Sequence, residues 1–417
     1  MNKILKDINI IDVENKKLLI GKNILLKKSS IEKITDNFRD FDNIVDNCEV
    51  YNMKNKYVIP GIINMHQHYL YKKTYGFLWE QLKLPIPVLT IRALKNAIAE
   101  LKKGITTTRL MGSLYDIDIS LKYLIEKEFI LGPSLLISGR PLGITGSHAN
   151  QIAENADSKD KFRELTRERV KYTDWVKVFS SYDPIEPIDE TGEYARDEIS
   201  VDELRVIVEE AHRAGKKVAA HAVGTKALSN VIEAGVDTIE HGIYLNDELA
   251  EKMKEKNIAI MPTLTAFTET CNPIYDRGEE WIRLHEKLIE PNQESFKVAL
   301  KRNVKIGMGL DSLGDLLGEF KLMKDVGNLD SYEVLKISTI NNAEILGLDT
   351  KIGSIKEGKL ADLVILNSNP IENIDNITDI NYVIKKGQLL KKEDINLSTK
   401  FENRNYNSNI KELINLR

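Results

Sequence analysis

The 417-residue chain has little cysteine and no long apolar run. Its two cysteines, Cys48 and Cys271, lie far apart, in no spacing that is typical of metal binding or redox chemistry. Such sparse use predicts a reducing compartment. No segment reaches about 18 uninterrupted apolar residues, and the N-terminus never builds the apolar core of a signal peptide. We therefore expect a cytoplasmic protein that neither spans nor binds a membrane.

The chain also lacks an excess of either charge. It carries 59 basic and 63 acidic side chains, for a formal net charge of −4. Because nucleic-acid binding normally needs a basic surface, this balance predicts no nucleic-acid partner. A small-molecule substrate becomes the default expectation. The length predicts one large domain with a smaller one attached.

The order of the apolar segments predicts an α/β fold. Short β-like runs fill residues 1–58 and return after residue 348, whereas strand-like and helix-like segments alternate between them. Eight candidate strands match the number of a TIM barrel. They are residues 58–66, 105–110, 134–138, 175–179, 218–221, 238–241, 258–262 and 305–310. We predict a (β/α)8 TIM barrel over residues 59–347 and a small β-sandwich domain built from both termini, residues 1–58 and 348–417.

Local signals refine this outline. Ser200 and Glu203 form a capping box that begins a helix, and Gly215 ends it before the fifth strand. The stretch 265–303 is long for a barrel connection, so we predict an insertion with two helices over the active-site end, where it would shape the pocket. Residues 410–416 are weakly amphipathic. We expect them to dock as a short helix, with a frayed end as the alternative.

The most informative motif is His66-Gln67-His68, at the end of an apolar run. Residues i and i+2 of a strand project to the same side, so the two imidazoles can converge on one cation. Two unconnected strand-end histidines are the alternative. Of the seven histidines, His221 and His241 also end β-like runs. Since the carboxyl ends of parallel strands meet at one face of a barrel, we expect these four histidines to form a cluster.

Two further residues point to chemistry at the same face. Asp311 follows the last strand, where its carboxylate can bind a metal or relay a proton, although it could instead cap the next helix. Lys177 lies among apolar residues on a predicted buried strand, which is costly for an unpaired ammonium. A lysine carboxylated by CO₂ would offer two oxygens to metals, whereas an ammonium offers only donors. A salt bridge or a side chain that reaches solvent is the alternative.

Several longer motifs accompany these residues along nearly the whole chain. They are Val58-Ile-Pro-Gly-Ile-Ile-Asn-Met-His-Gln-His68, Gly104-Ile-Thr-Thr-Thr-Arg109, Asp174-Trp-Val-Lys177, the histidine-containing segments 209–222 and 234–242, Met261-Pro-Thr-Leu264, and segment 353–366 with its Glu-Gly-Lys-Leu-Ala-Asp core. Together they resemble the amidohydrolase superfamily. Within it, they are similar to the binuclear, prolidase-like branch that includes Xaa-Pro dipeptidases and arginine or lysine carboxypeptidases.

The resemblance implies two divalent metal ions, for which zinc is expected. The implied ligands are His66, His68 and Asp311 for the first ion, His221 and His241 for the second, and carboxylated Lys177 between them. The ions would share a hydroxide that attacks an amide carbonyl. Asp311 would pass the hydroxide's proton to the leaving amine. His148 matches a loop histidine that faces substrate in the branch, near a carboxylate or the developing oxyanion; a solvated loop residue is the alternative.

The predicted function is hydrolysis of a C–N amide bond in a dipeptide or an N-acyl amino acid. A mononuclear deaminase of an amidine or heterocyclic amine is one alternative, and it would not need Lys177 as a bridge. A metal-free scaffold of the same shape is another, and it would not need the six candidate ligands that the chain keeps. The resemblance also implies a homo-oligomer.

Three positions bear on substrate choice. Val223 stands where many relatives of the branch carry a side chain that grips a substrate carboxylate, which predicts substrates whose leaving side is neutral or bulky. The loop 180–184 replaces a Gly-rich segment after the bridging lysine. We expect both differences to leave the metal residues untouched, because neither position supplies a ligand. For Arg109, an ion pair and a substrate contact are equally good explanations.

Overall fold

Strands and helices alternate through the middle of the chain, as the sequence predicted. A computed structural model describes residues 2–71, 78–272 and 278–399. The described strands are β1 (Asn2–Asp12), β2 (Lys17–Lys27), β3 (Ser30–Thr35), β4 (Cys48–Asn52), β5 (Tyr57–Pro60), β6 (Ile62–Gln67), β7 (Ile105–Leu110), β8 (Ser134–Ile137), β9 (Leu142–Gly143), β10 (Glu154–Asn155), β11 (Trp175–Phe179), β12 (Ser181–Tyr182), β13 (Arg196–Asp197), β14 (Lys217–Val223), β15 (Thr238–Ile243), β16 (Ala259–Met261), β17 (Leu363–Leu366), β18 (Ile380–Lys385) and β19 (Gln388–Lys391).

The helices occupy the connections between these strands. They are α1 (Ile86–Lys102), α2 (Ile117–Glu126), α3 (Lys159–Arg169), α4 (Val201–Arg213), α5 (Thr225–Ala234), α6 (Asp247–Glu255), α7 (Leu264–Thr270), α8 (Glu279–Lys301), α9 (Leu316–Gly327), α10 (Ser331–Lys336) and α11 (Asn342–Leu346). Within the described ranges, no helix combines the length and apolar character that crossing a bilayer requires. The helix expected at residues 410–416 lies outside the described residues.

Both ends of the chain contribute strands to one sheet. Among the described residues, eight strands pair in the order β19-β18-β17-β5-β1-β2-β3, with β4 paired to β1. One contact between the two ends is the antiparallel pairing of β5 with β17, which sets Val58 opposite Ile365. Both side chains belong to one buried apolar cluster. The sandwich arrangement of these strands stays a prediction.

Parallel strands run through the middle of the chain. Two parallel ladders, β6-β7-β8 and β10-β9-β11-β14-β15-β16, are described. Main-chain hydrogen bonds of 2.9 Å connect the outer strands of these ladders to neighbouring segments. The N–H groups of Asp174, Ile260 and Met65 donate to the carbonyls of Ile137, Lys305 and Met308, respectively. The helices pack on these strands and bury one large apolar core. The carboxyl ends of the strands therefore lie on one side of the α/β unit.

The predicted strand 58–66 is wrong as a single element, because β5 and β6 belong to different sheets. Pro60 has no N–H to donate to a continued ladder. At Gly61, a Cβ would collide with the side chain of Thr106 on β7. Proline and glycine therefore let the chain leave the terminal sheet and enter the parallel strands within two residues.

The predicted strand 305–310 differs as well. It forms one isolated bridge, between Ile306 and Ile260, although its main chain bonds to both neighbouring segments. Gly309 explains part of the irregularity, since a Cβ there would lie 2.6 Å from Cβ of His66. Glycine weakens a strand but permits this close approach of the two segments.

The other local predictions are confirmed. Ser200 and Glu203 make both hydrogen bonds of the capping box at the start of α4. Gly215 follows the end of this helix with φ +69°, a left-handed conformation that glycine adopts without strain. The predicted insertion contains two helices, α7 and α8. Local sequence signals were sufficient for each of these features.

A buried ion pair joins the terminal sheet to the parallel strands. Nζ of Lys385 lies 2.6 Å from Oδ2 of Asp362, with side chains 0% and 3% exposed. The same ammonium donates to the carbonyl of Thr106 on β7 and to Oγ of Ser134 on β8, each at 2.8 Å. All three N–H groups of the lysine thus have acceptors. One side chain on β18 therefore holds the two parts of the chain together.

Replacing this lysine tests the connection. Lys385→Met should lower the free energy of unfolding by about 3–5 kcal/mol, because Asp362 would stay buried without its partner. Urea denaturation would measure the loss. The matched control is Lys386→Met, since its ammonium is 29% exposed and pairs with Glu128 at 3.4 Å. Such a pair contributes about 0–1 kcal/mol, so equal losses in the two variants would contradict the assignment.

Candidate metal centre

Four buried histidines meet at the carboxyl ends of three parallel strands. His66 lies in β6 and His68 directly follows it, while His221 lies in β14 and His241 in β15. The Nε2 atoms of His66 and His68 are 3.3 Å apart. Ring centroids are 5.1 Å apart for His66 and His241, and 4.8 Å apart for His241 and His221. The structure thus brings together all four histidines that the sequence placed at one face.

Asp311 lies against this cluster. Its carboxylate oxygens are 3.8 Å from Nε2 of His68 and 3.9 Å from Nε2 of both His66 and His241. Its main-chain N–H donates to the carbonyl of His66 at 2.7 Å. The residue adopts φ +57°, a left-handed main-chain conformation that is uncommon for residues other than glycine. Such conformations recur at functional sites. The helix that follows is capped by Asp315 instead, so the capping alternative for Asp311 does not apply.

Lys177 lies on β11, which pairs with β14, and its side chain is 1% exposed. Its Nζ has no hydrogen-bond partner in the part of the chain that the structure describes. It lies 4.9 Å from the ring centroid of Phe179. Burial lowers the pKa values of His221 and His241, and the nearby charge of Lys177 lowers them further. Burial lowers the pKa of Lys177 to about 8. Neither of the ordinary alternatives, a salt bridge or a side chain that reaches solvent, is observed.

Each histidine is held through one ring nitrogen. The contacts are His66 Nδ1 to Glu240 Oε2 at 2.7 Å, His68 Nδ1 to the Gly112 carbonyl at 3.4 Å, His221 Nε2 to Asp183 Oδ1 at 2.7 Å, and His241 Nδ1 to Thr263 Oγ1 at 2.6 Å. A ring nitrogen that donates to oxygen leaves the opposite nitrogen with its lone pair. Carboxylates and carbonyls only accept, so the nitrogens available to a metal are Nε2 of His66 and His68 and Nδ1 of His221. The Thr263 hydroxyl can accept or donate, and Nε2 of His241 is available when Nδ1 carries the proton.

The spacing of these atoms fits a divalent ion. Two ligand atoms about 2.1 Å from one zinc ion at the tetrahedral angle lie roughly 3.4 Å apart. The 3.3 Å between Nε2 of His66 and His68 matches this distance. Nε2 of His221 and Oδ1 of Asp183, at 2.7 Å, are too close to share an ion and are hydrogen-bonded instead. The site offers imidazoles, carboxylates and the buried amine of Lys177, which has no hydrogen-bond partner among the described residues. This set of donors would suit zinc if the amine were carboxylated.

Glu240 and Arg109 support His66 from behind. Nη2 of Arg109 lies 2.6 Å from Oε1 of Glu240, and both side chains are 0% exposed. Nε of Arg109 donates to the carbonyl of Met65 at 2.6 Å. The ion-pair explanation of Arg109 therefore holds. Glu240 was not predicted from the sequence, although an acidic residue inside an apolar strand, directly before His241, was a usable signal.

The cluster opens into a pocket that contains about 750 Å³ of empty space, including the part open to solvent. Its walls are mainly apolar and aromatic. The described side chains of this kind are Tyr71, Ile152, Phe179, Ala266, Phe267, Trp281 and Leu313. Several come from α7 and α8, so the stretch 265–303 contributes to the pocket, whereas its origin as an insertion stays a prediction. His285 of α8 also lines it, although no motif in the sequence indicated a role for that histidine.

His148 lines the same pocket, so the solvated-loop alternative does not apply. Its ring stacks on His221 with centroids 4.9 Å apart and an angle of 14°. Burial lowers the pKa of His148 to about 4. At neutral pH the ring is therefore uncharged, and it can hydrogen-bond to a substrate without adding a positive charge.

The loop 180–184 and Val223 have different surroundings. The side chain of Val223 packs in a buried cluster with Ala195 and Ile243, and it is not among the described residues that line the pocket. Asp183, in contrast, contacts His221. The expectation that neither position supplies a ligand stays a prediction, although the loop contacts a candidate metal ligand. The contact arises because β12 folds back along β14, where the N–H of Val223 donates to Oγ of Ser181 at 2.9 Å.

Comparisons with known proteins agree with this geometry. The model of a family described as "Amidohydrolase family" matches residues 57–390. Ochratoxinase from Aspergillus niger is 27% identical over 297 residues, which cover 63% of this chain and 61% of that protein, so the match spans about three fifths of the relative's length. A 5-methylthioadenosine/S-adenosylhomocysteine deaminase from Halothermothrix orenii is 24% identical, with 94% of this chain and 95% of that protein covered.

A solved structure gives a longer match. The crystal structure of a prolidase complexed with N-methylphosphonate-L-proline is 28% identical and superimposes with a TM-score of 0.84. The match covers 94% of this chain and all of that one. Sequence motifs, site geometry and the family model, which spans well over half of the residues, lead to the same result. The chain belongs to the amidohydrolase family.

Proposed function

We propose that the protein is a metal-dependent hydrolase of C–N amide bonds that acts on a dipeptide or an N-acyl amino acid. The observation that carries this proposal is Lys177, a buried amine without a hydrogen-bond partner among the described residues. It lies close enough to Asp311, His221 and His241 for their charges to interact. A bridge between two ions uses such a lysine in carboxylated form. A mononuclear deaminase would not require a bridging lysine, and a metal-free scaffold would not require any of the candidate ligands.

The architecture that we infer around this site is a closed (β/α)8 barrel over residues 59–347, with residues 1–58 and 348–417 in a β-sandwich domain. Three sets of main-chain hydrogen bonds support closure of the barrel. They connect β8 to the start of β11, β16 to residues 305–310, and residues 305–310 to β6. In such a barrel, the carboxyl ends of the strands carry the active site. The cytoplasmic location and the homo-oligomer stay predictions from the sequence.

We propose two zinc ions as cofactors. His66, His68 and Asp311 would hold the first, His221 and His241 the second, and carboxylated Lys177 both. The neutral amine of Lys177 adds to CO₂ and releases one proton, which gives an anion with two oxygens. When bound, the ions supply Lewis acidity toward a carbonyl oxygen and a lower pKa for water.

The protein's own residues transfer the proton and bind the substrate. Asp311 takes a proton from the attacking water and returns it to the leaving nitrogen. Neutral His148 is placed to hydrogen-bond to the substrate oxygen as negative charge develops. Phe179, Phe267 and Trp281 bind the apolar parts of the substrate and exclude bulk water from the reacting bond.

Metal content is the first test. Protein purified without chelator should carry two equivalents of zinc by elemental analysis and should release the free amine from dipeptides or N-acyl amino acids. A single equivalent, together with ammonia release from an aminopurine, would favour the deaminase. Metal-free protein without either activity would favour the scaffold.

Replacing Lys177 tests the bridge. Lys177→Ala should lose metal and activity together, with partial rescue by short carboxylic acids that can occupy the place of the carbamate. The control is Lys217→Ala on the neighbouring strand β14, whose ammonium bonds to the carbonyl of Ile345 at 2.6 Å. This variant should keep both ions. Full metal content and turnover in Lys177→Ala would refute the bridging role.

Replacing Asp311 tests the proton transfer. Asp311→Asn should keep the fold and most of the metal, because the amide oxygen can still bind, but lower kcat by roughly 10²-fold or more. Steady-state kinetics on the best amide substrate would measure it. Asp315→Asn, at the helix cap four residues later, serves as control and should keep kcat near that of the wild type. Near-normal turnover in Asp311→Asn is the outcome that contradicts this role.

A further inference from the structure

One buried carboxylate beside the site takes no part in the proposed reaction. Asp183 follows β12, and its side chain is 4% exposed. Its Oδ1 lies 2.7 Å from Nε2 of His221 and 3.0 Å from Oγ of Ser181. It is not among the described residues that line the pocket, so it contacts a candidate metal ligand without facing a substrate.

The direction of these hydrogen bonds follows from the main chain. The N–H of Val223 donates to Oγ of Ser181 at 2.9 Å, so the hydroxyl proton of Ser181 is free to point at Asp183. Oδ1 of Asp183 is then an acceptor, and Nε2 of His221 must carry the proton between them. The lone pair of His221 consequently lies on Nδ1. This is the opposite choice of nitrogen from His66 and His68.

Asp183 also holds His148. The His148 ring hydrogen-bonds to the main-chain carbonyl of Asp183 and stacks on His221. The main chain of Asp183 therefore orients His148, which faces the substrate. Its side chain orients His221, which belongs to the second metal subsite. The first subsite has separate supports, since His66 rests on Glu240 and His68 on Gly112.

We propose that Asp183 is a positioning residue that sets the affinity of the second metal subsite alone. It does so by holding the His221 ring with Nδ1 available for the ion. The inference rests on the proposed function, because it requires a second ion. Loss of such an outer hydrogen-bond partner typically weakens metal binding by about 10–100-fold.

Zinc titration of the full chain tests this. Wild-type protein, Asp183→Ala and Asp183→Asn are equilibrated at a series of chelator-buffered free zinc concentrations, and bound zinc is counted by elemental analysis. In Asp183→Ala, the first equivalent should bind as in the wild type, and the second should need about 10–100-fold more free zinc. Asp183→Asn keeps an acceptor oxygen of the same shape, so it should fall between the two. If the alanine variant does not fold, the asparagine variant still tests the proposal.

A second histidine–carboxylate pair in the same protein supplies the control. Nε2 of His212 lies 2.8 Å from Oδ2 of Asp237, which also accepts from the N–H of Val218 at the opposite end of β14. Asp237→Asn should therefore leave both equivalents unchanged. The pair has the same chemistry but lies away from the cluster.

The outcomes separate the two proposals. Two equivalents in the wild type, with both affinities unchanged in folded Asp183→Asn and Asp183→Ala, would overturn the role of Asp183 and leave the proposed function standing. Equal weakening of both equivalents would also overturn it, because the effect would then be a general loss of structure. A wild type that binds no second equivalent would overturn the binuclear function, and this inference with it.

Discussion

The cost of burying the ammonium of Lys177 is the constraint on which the site depends. Removing a charged group from water costs several kcal/mol unless partners compensate for the lost hydration. Lys385, which is equally buried, shows the ordinary solution, with Asp362 and two neutral oxygens around Nζ. No such partner surrounds Lys177 within the described ranges. The proposed carboxylation would remove the positive charge and turn the residue into a ligand, so one change would remove the energetic cost and also complete the metal site.

The histidines depend on a layer of hydrogen bonds behind them. A neutral imidazole offers a lone pair at only one of its two nitrogens, and the partner of the other nitrogen decides which one. Glu240, itself held by Arg109, makes this choice for His66, and Asp183 makes the opposite choice for His221. The donor set is therefore organised by the protein before any ion binds. Preorganisation of this kind is what a binding site needs for affinity and selectivity.

The pocket combines this polar floor with apolar walls. Helices α7 and α8 contribute Phe267 and Trp281, and the end of β11 contributes Phe179. Such walls favour substrates with apolar or aromatic groups, because burial of apolar surface is the main favourable term available there. Specificity thus comes from the connections between strands, whereas the chemistry comes from the strand ends.

The sequence by itself determined the features that depend on local periodicity and spacing. The i, i+2 histidines at the end of β6, the capping box of α4, the helices α7 and α8 and the anomalous Lys177 could all be predicted, because each is recorded in a short stretch of residues. Family resemblance then assigned the six candidate ligands their roles, and the structure places the four histidines and Asp311 together.

Only the tertiary structure decided how distant segments touch. Asp183 and His221 are 38 positions apart, and His66 and Glu240 are 174 apart. Whether these side chains meet depends on strand register and on how β12 folds back along β14, which no local pattern records. The same holds for Val223, whose side chain turned out to face the core. A one-residue change in register reverses which side chains face the pocket, so the contacts that tune the site emerge only from the packed fold.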